Sequence, residues 1–428
     1  MSMTRQMSME KSPLRVLAIQ TSSELTPEAR VLLSLLRALP AAAERHGAPV
    51  EILLIQGVDR WAGTKEGYGA AAHFRAVPNV RVHAVNVGKL GRAGMGGLAR
   101  AMKVPDLIAL RLSRGRLLAA ARRFQPDVVY SSQQIRDLQL TTPIACALDH
   151  PQVVHLHYTV GPWLGRDTLP ALRRADMVIG ISSFICDDAI RHRVPAARTC
   201  LLYNSIAAPE LSTSRAAARG TLRAEFGLPD DALVVGMVAR LFENKGQMEL
   251  LRAMAPILRR DRRVHLLLVG SEYPKPHGLT ERLTETARAA NVLPQVFLPG
   301  YRDDVPRILD GLDLFAHPSR SEPFSLAILE AMAHELPVVA WREGGPAEII
   351  VDGRTGLLVA PMDIDGLTAA LAGLLDDGAR RAAMGQAGRE RALQAFNPAV
   401  AGEIFLDLLQ QVRYAAPVAD PAVANKPA

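Results

Sequence analysis

Short apolar runs alternate along this chain with longer stretches in which apolar residues recur every three or four positions, and the two periods mark strands and helices respectively. Residues 14–20, 50–56, 80–87, 128–131, 152–157 and 177–181 read as strands, and residues 25–39 as the first helix between them. A strand–helix–strand rhythm calls for a mostly parallel sheet. The rhythm stops at residues 206–220, Ile-Ala-Ala-Pro-Glu-Leu-Ser-Thr-Ser-Arg-Ala-Ala-Ala-Arg-Gly, which carry no strand pattern and read as a hinge region. A second series follows at 233–238, 264–269, 296–298, 312–316, 338–340 and 356–359, with a helix expected over 247–258. The expectation is an α/β protein of two Rossmann-like domains facing across a cleft. Its parts are a loose start (1–12), a first domain (13–205), the hinge (206–220), a second domain (221–396), a helix crossing back to the first domain (397–414) and a frayed tail (415–428).

Residues 319–333, Ser-Arg-Ser-Glu-Pro-Phe-Ser-Leu-Ala-Ile-Leu-Glu-Ala-Met-Ala, hold two carboxylates, Glu322 and Glu330. The apolar run ending at Pro318 reads as a strand, and Pro323 suits a helix's first turn because its missing N–H would find no partner there. That order places a helix N-terminus at the carboxyl edge of a sheet, where α/β folds bind ligands. The N–H groups of Phe324, Ser325 and Leu326 would then offer positive charge to a phosphate. Glu330 would lie on the order of 9 Å along the helix from its start. The competing reading is an amphipathic helix with two solvated glutamates, and spacing alone favours it.

Composition narrows the classes. At 428 residues with 49% hydrophobic content, the chain suits two domains, each large enough for its own core. No run approaches the length of a membrane span, and the N-terminus reads as a first strand rather than a signal peptide. Three cysteines, Cys146, Cys186 and Cys200, lack close metal-ligand spacing, so a reducing cytoplasm is the simplest home. The net charge of +7 is uneven: residues 1–205 carry 26 Lys and Arg against 15 Asp and Glu, whereas residues 206–428 carry 24 against 28. The densest basic part, residues 88–124, would suit an anionic membrane surface at the inner face, or a phosphate-bearing acceptor, or simply a solvated face. Nucleic acid is not expected, because aromatic residues are only 5% and no stacking platform is recognisable.

Several side chains are candidates for chemistry. Arg240 and Lys245 follow the first strand of the second series, where a planar fork and a mobile point charge can neutralise a diphosphate; as an isolated pair they would be ordinary turn cations. In Val153-Val-His-Leu-His-Tyr, alternation puts His155 and His157 on one face. Metal ligation, a buried polar role and substrate contact compete there; no third ligand is evident, and His157, nearer the strand end, is favoured for substrate with His155 structural. Asp363-Ile-Asp365 could hold a divalent cation, but a helix cap is the simpler reading. A loop with Lys275, Pro276 and His277 is left open.

In this order the residues resemble glycosyltransferase family 4, whose members have the GT-B fold. The resemblance rests on Arg240 to Lys245, Gly300-Tyr-Arg-Asp-Asp-Val305, the Glu322-to-Glu330 pair in Ser-Glu-Pro-Phe, Gly344-Gly-Pro-Ala-Glu348 and Asp352-Gly-Arg-Thr-Gly356, and covers most of residues 233–395. It implies transfer of a sugar from a nucleoside diphosphate-sugar with retention of configuration and no metal or other cofactor, to a glycan, lipid-linked or other envelope acceptor. By motif, Arg240 and Lys245 are implied diphosphate contacts, Glu330 the ribose contact, Glu322 the residue approaching the donor sugar, the backbone at Val305 a base contact, and His157 the histidine beside the reacting sugar. Asn204 resembles the Asn of the family's Asn-Gly-Val segment, although Ser205 replaces its Gly and Ala207 stands where Asp is usual. Where many members carry a Gly-Gly loop after the first strand, this chain has Ser22, Ser23 and Glu24, which leaves the acceptor side open. Two other readings are an epimerase or hydrolase on the same fold and a nucleotide-sugar-binding protein without turnover. A dehydrogenase is disfavoured, since no Gly-x-Gly-x-x-Gly follows the first strand.

Overall fold

The computed structural model describes residues 12–22, 25–58, 70–86, 115–132, 136–161, 168–211, 214–272 and 277–414. The chain divides into two compact units, Met1–Ser205 with Pro398–Ala428, and Ile206–Asn397.

The first unit is built on a parallel sheet of β1 (Leu14–Gln20), β2 (Val50–Val58), β3 (Val80–Asn86), β4 (Val128–Ser131), β5 (Gln152–Leu156), β6 (Met177–Gly180) and β7 (Thr199–Leu201), in the order β3-β2-β1-β4-β5-β6-β7. Its inner strands are apolar on both faces, as befits a sheet covered by helices on each side. Helix Pro27–Arg45 starts where the Thr26 hydroxyl accepts from the Ala29 N–H at 3.4 Å, with Pro27 in the first turn. Helix Pro398–Tyr414 completes this unit against Pro27–Arg45; Gly402 permits the approach, because a Cβ there would press into Ala38.

The second unit carries β8 (Leu233–Val238), β9 (Val264–Val269), β10 (Val296–Gly300), β11 (Leu314–His317), β12 (Val338–Trp341) and β13 (Gly356–Val359), all parallel in the order β10-β9-β8-β11-β12-β13. The strand order reverses between β8 and β11, the kind of switch point at whose carboxyl edge open α/β sheets bind ligands. In the first unit the same reversal falls between β1 and β4.

Three expectations are corrected here. The hinge does not extend to residue 220, because helix Arg215–Phe226 begins inside it, with the Ser214 hydroxyl accepting from the Ala217 N–H at 3.2 Å. β5 stops at Leu156, leaving His157 just beyond the strand, and β7 was not expected at all. Among the described residues no helix is long and apolar enough to cross a membrane. Of the basic segment 88–124, residues 115–124 are helical and the others lie outside the described residues.

Candidate active site

The reversal between β8 and β11 sets the candidate chemistry of the second unit. After β8 the chain runs along the sheet edge through Ala239, Arg240 and Leu241, the outer two tied to β9 and its exit by N–H bonds to the Val269 and Ser271 carbonyls, both 3.0 Å. Gln247 donates to the Arg240 carbonyl at 2.8 Å, pinning this loop to helix Gln247–Arg260. The Arg240 side chain is exposed, and its guanidinium has no partner among the described residues. Lys245 closes the turn, followed by Gly246 at φ +83°, where a Cβ would run into the Pro318 carbonyl oxygen. The loop after β8 therefore packs on the loop after β11, and Arg320 N–H donates to the Asn244 carbonyl at 2.8 Å to seal them together.

Glu322 sits at the centre of that second loop, 7% exposed. One of its oxygens, Oε2, receives Lys245 Nζ at 2.6 Å and Ser319 Oγ at 2.8 Å, and lies 3.4 Å from His317 Nε2. Oε1 takes no hydrogen bond from the described residues. Burial alone would raise the carboxyl's pKa, but the His317 contact and the Lys245 charge override it and hold the group down at about 2. Lys245 spends one ammonium hydrogen on Glu322 and keeps two without a partner among the described residues.

The helix starts later than Pro323 suggests. It spans Leu326–Ala333, with Ser325 as its cap, the hydroxyl accepting from Ile328 N–H at 3.3 Å. Phe324 precedes the helix, buried with its ring edge-on to Phe396 at 5.8 Å, so its N–H and that of Ser325 do not belong to the first turn; Leu326 does. Glu330 accordingly lies only about 6 Å along the axis from Leu326. Gly344 and Gly345 underpin this loop, since a Cβ on either would collide with the backbone of residues 322–324.

In the first unit, His155 and His157 share a face, as the alternation predicts, with ring centroids 4.5 Å apart. His155 Nδ1 bonds Tyr130 OH at 2.7 Å, deep in the core, while its Nε2 has no partner among the described residues. Burial keeps His157 neutral down to about pH 3, against a smaller opposing effect of a backbone bond at Ser132. The loop after β1 is held inward: Thr21 N–H donates to Asp137 Oδ1 at 3.0 Å and Ser22 N–H to Gln20 Oε1 at 2.6 Å. Those two amides are thus committed within the protein, and Ser23 and Glu24 lie outside the described residues. Asn204 is buried after β7, its Oδ1 without a partner among the described residues.

Comparison with known proteins fits this geometry. Residues 29–208 match the model described as Glycosyltransferase Family 4, and residues 218–391 that of Glycosyl transferases group 1. The alpha-maltose-1-phosphate synthase of Mycolicibacterium smegmatis is 31% identical over 272 residues, 60% of this chain and 67% of that protein. The chain belongs to glycosyltransferase family 4. A GDP-mannose-dependent alpha-(1-6)-phosphatidylinositol monomannoside mannosyltransferase of M. smegmatis is 35% identical over 218 residues, 48% of this chain. The match spans 56% of that relative's length, little more than half. Anabaena HepE, solved in complex with UDP and glucose, superposes with a TM-score of 0.73 at 22% identity, over 93% of this chain and 99% of that one, and supports the GT-B fold.

Within the family 4 frame, other candidates fall as follows. Val305 opens helix Val305–Gly311 after β10, next to Asp304, whose carboxylate takes Arg302 in two bonds of 2.8 and 2.7 Å. Asp363 caps helix Ile364–Asp376, accepting from Gly366 N–H at 2.8 Å, which is the simpler of its two readings. His277 bonds the Leu241 carbonyl at 3.0 Å, beside the first loop, while Lys275 and Pro276 lie outside the described residues. Sequence reasoning missed His317 and Ser319, which ride the end of an apolar run and show no spacing of their own. It also missed Tyr130 and Asp137, whose partners are far apart in sequence.

Proposed function

We propose that this family 4 chain transfers a sugar from a nucleoside diphosphate-sugar to an acceptor, with retention and without a metal. The observation that carries the reading is that the loop after β8, at the strand-order reversal of the second unit, carries both Arg240, exposed and with no guanidinium partner among the described residues, and Lys245, whose ammonium keeps two hydrogens without a partner among them. Cleavage of a sugar–phosphate bond places negative charge on the departing diphosphate, and cations already positioned there stabilise it in the transition state. That would be the work otherwise done by a divalent ion. Glu322 Oε1 would accept from a sugar hydroxyl, Glu330 would hold the ribose, and the backbone at Val305 the base. A neutral His157 would serve as a hydrogen-bonding group toward a sugar. Attack on the face the leaving group departs from accounts for retention without a carboxylate nucleophile.

The names of the relatives support a nucleotide donor, one being GDP-mannose-dependent and another solved with UDP and glucose. The acceptor we propose is hydroxyl-bearing and presented at the cytoplasmic face of a membrane; the support is the basic excess of residues 1–205 and the lipid-linked acceptor in the name of the M. smegmatis mannosyltransferase. The deciding experiment is a thermal-shift screen of UDP- and GDP-sugars, followed by nucleotide release with chelator present and the product's anomeric configuration by NMR. No stabilisation by any donor sinks the reading, and free sugar or an epimer formed without acceptor replaces it with a hydrolase or isomerase. Binding to anionic vesicles that weakens with salt is expected for the membrane part, and salt-independent or absent binding removes it.

A further inference from the structure

In the loop after β8, three consecutive carbonyls are each taken by a different donor: Arg240 by the Gln247 side chain at 2.8 Å, Leu241 by His277 Nε2 at 3.0 Å and Phe242 by the Lys245 N–H at 2.9 Å. Gln247 and Lys245 belong to the same stretch of chain as the loop, whereas His277 comes from the segment that follows β9. That segment is itself anchored. Glu272, its side chain 6% exposed, takes the His277 N–H and, at 3.0 Å, the Gly278 N–H on Oε2, and the Thr280 N–H and hydroxyl on Oε1, both at 2.7 Å. Those bonds, the His277 N–H first, hold the carboxyl down at about 2. A carbonyl can only accept, so His277 Nε2 carries its hydrogen toward Leu241 whether the ring is neutral or charged, with Nδ1 3.5 Å from Glu272 Oε2. The ring also meets Phe242 edge-on at 5.7 Å, and Arg282, on the helix Leu279–Ala289, pairs with Glu243.

Residues 241, 242 and 243 are thus gripped from the β9 side, while residue 240 projects a guanidinium that has no partner among the described residues. A long arginine side chain aims its fork only as well as its backbone is fixed, and a misplacement of about 1 Å is enough to spoil a two-bond contact to a phosphate. Lys245, at the other end of the turn, is held by Glu322. We propose that His277 is a positioning residue for Arg240: by holding the Leu241 carbonyl it fixes the turn that joins Arg240 to Lys245, and so the place from which the guanidinium meets a diphosphate. The imidazole acts through the backbone and makes no ligand contact. The use of Arg240 toward a diphosphate rests on the proposed function; the hold on the loop is testable without any ligand.

The test compares, in the whole chain, His277→Ala with His277→Gln, whose amide can donate to the same carbonyl. Calorimetric titration should show UDP and GDP affinity falling roughly three- to tenfold in His277→Ala and recovering in His277→Gln, while UMP and GMP affinity moves by less than about twofold in either. In an Arg240→Ala background, His277→Ala should add less than about twofold, because the residue it acts through is gone. An equal loss for the mono- and diphosphates, or an undiminished loss without Arg240, overturns the proposal. Amide hydrogen exchange without ligand reads the hold on the loop: residues 241–245 should exchange at least about fivefold faster in His277→Ala than in the wild type or His277→Gln, and equal rates overturn it. Faster exchange in a protein whose wild type binds neither UDP nor GDP supports the hold and counts against the donor reading instead.

Discussion

Lys245 Nζ and Glu322 Oε2 stand 2.6 Å apart in an ion pair whose side chains are 19% and 8% exposed. The two loops that supply them follow adjacent strands at the point where strand order reverses, so the pair holds that edge of the second unit together as well as arming it.

Breaking the pair from its two sides should therefore give different results. Lys245→Ala leaves a buried carboxylate with only a hydroxyl and an imidazole, and should cost roughly 2–4 kcal/mol, somewhat below a fully buried pair because the ammonium is partly solvated. Glu322→Gln removes the charge but keeps an oxygen for Ser319, and should cost roughly 1–2 kcal/mol. Urea unfolding of both variants measures the order, and Glu322→Gln proving the more destabilised would show that the pair is not the anchor it is taken for.

Arg240 gives the opposite balance. Its guanidinium is exposed and unpaired among the described residues, so Arg240→Ala should change stability by no more than about 0.5 kcal/mol. Loss of a charge-assisted contact to a diphosphate should weaken nucleotide binding by roughly tenfold or more. Calorimetric titration with UDP and GDP checks this, and unchanged affinity alongside unchanged stability would remove Arg240 from the site.

The contrast shows which levels of structure could be read from sequence. Strands buried on both faces announce themselves as apolar runs, and β1, β4, β8 and β9 fall where those runs lie. β7 has only three half-buried or exposed residues at a sheet edge, too few for any period. Helix Arg215–Phe226 was hidden because its buried stripe includes an arginine: Arg223 lies inside the protein, paired with Asp313 at 2.7 Å, a contact ninety residues away. At the site, Glu322 is marked by its company in the motif, whereas two of the groups on its Oε2, His317 and Ser319, become visible only when the loop is folded. The Pro323 signal for a helix start yielded to the Ser325 cap, whose hydroxyl satisfies an N–H that proline at that place could not.

Acid should weaken both units, by different groups in different windows. The Glu322 carboxyl is depressed to about 2, so its contribution is complete above the unfolded value near 4.5 and is lost as pH falls from there through 2, on the order of 3 kcal/mol in all. His157 is also depressed, to about 3, because it is buried neutral; the unfolded chain takes up its proton first, so stability is lost from about pH 6.5 downward. Unfolding as a function of pH should thus show loss beginning near 6.5 that is reduced in His157→Gln, and a steeper loss below 4.5 that is reduced in Glu322→Gln. A profile unaltered by either substitution would count against both assignments.

Two glycines with positive φ separate backbone strain from site geometry. Gly47, at φ +59°, has nothing within 4 Å of the position a Cβ would take, so Gly47→Ala should cost only the conformational penalty of about 1 kcal/mol. Gly246, at φ +83°, meets the Pro318 carbonyl oxygen there, so Gly246→Ala must pay the same penalty and also push apart the loops after β8 and β11. Lys245 is the neighbouring residue on one loop, and Ser319 and Glu322 sit on the other, so the displacement falls on the ion pair directly. Gly246→Ala should be the less stable variant by at least about 1 kcal/mol and should weaken nucleotide binding, whereas Gly47→Ala should leave binding unchanged. Equal stability and equal affinity in the two variants would mean that the loops yield without disturbing the pair, and that the approach of Gly246 to Pro318 does not set the geometry of the site.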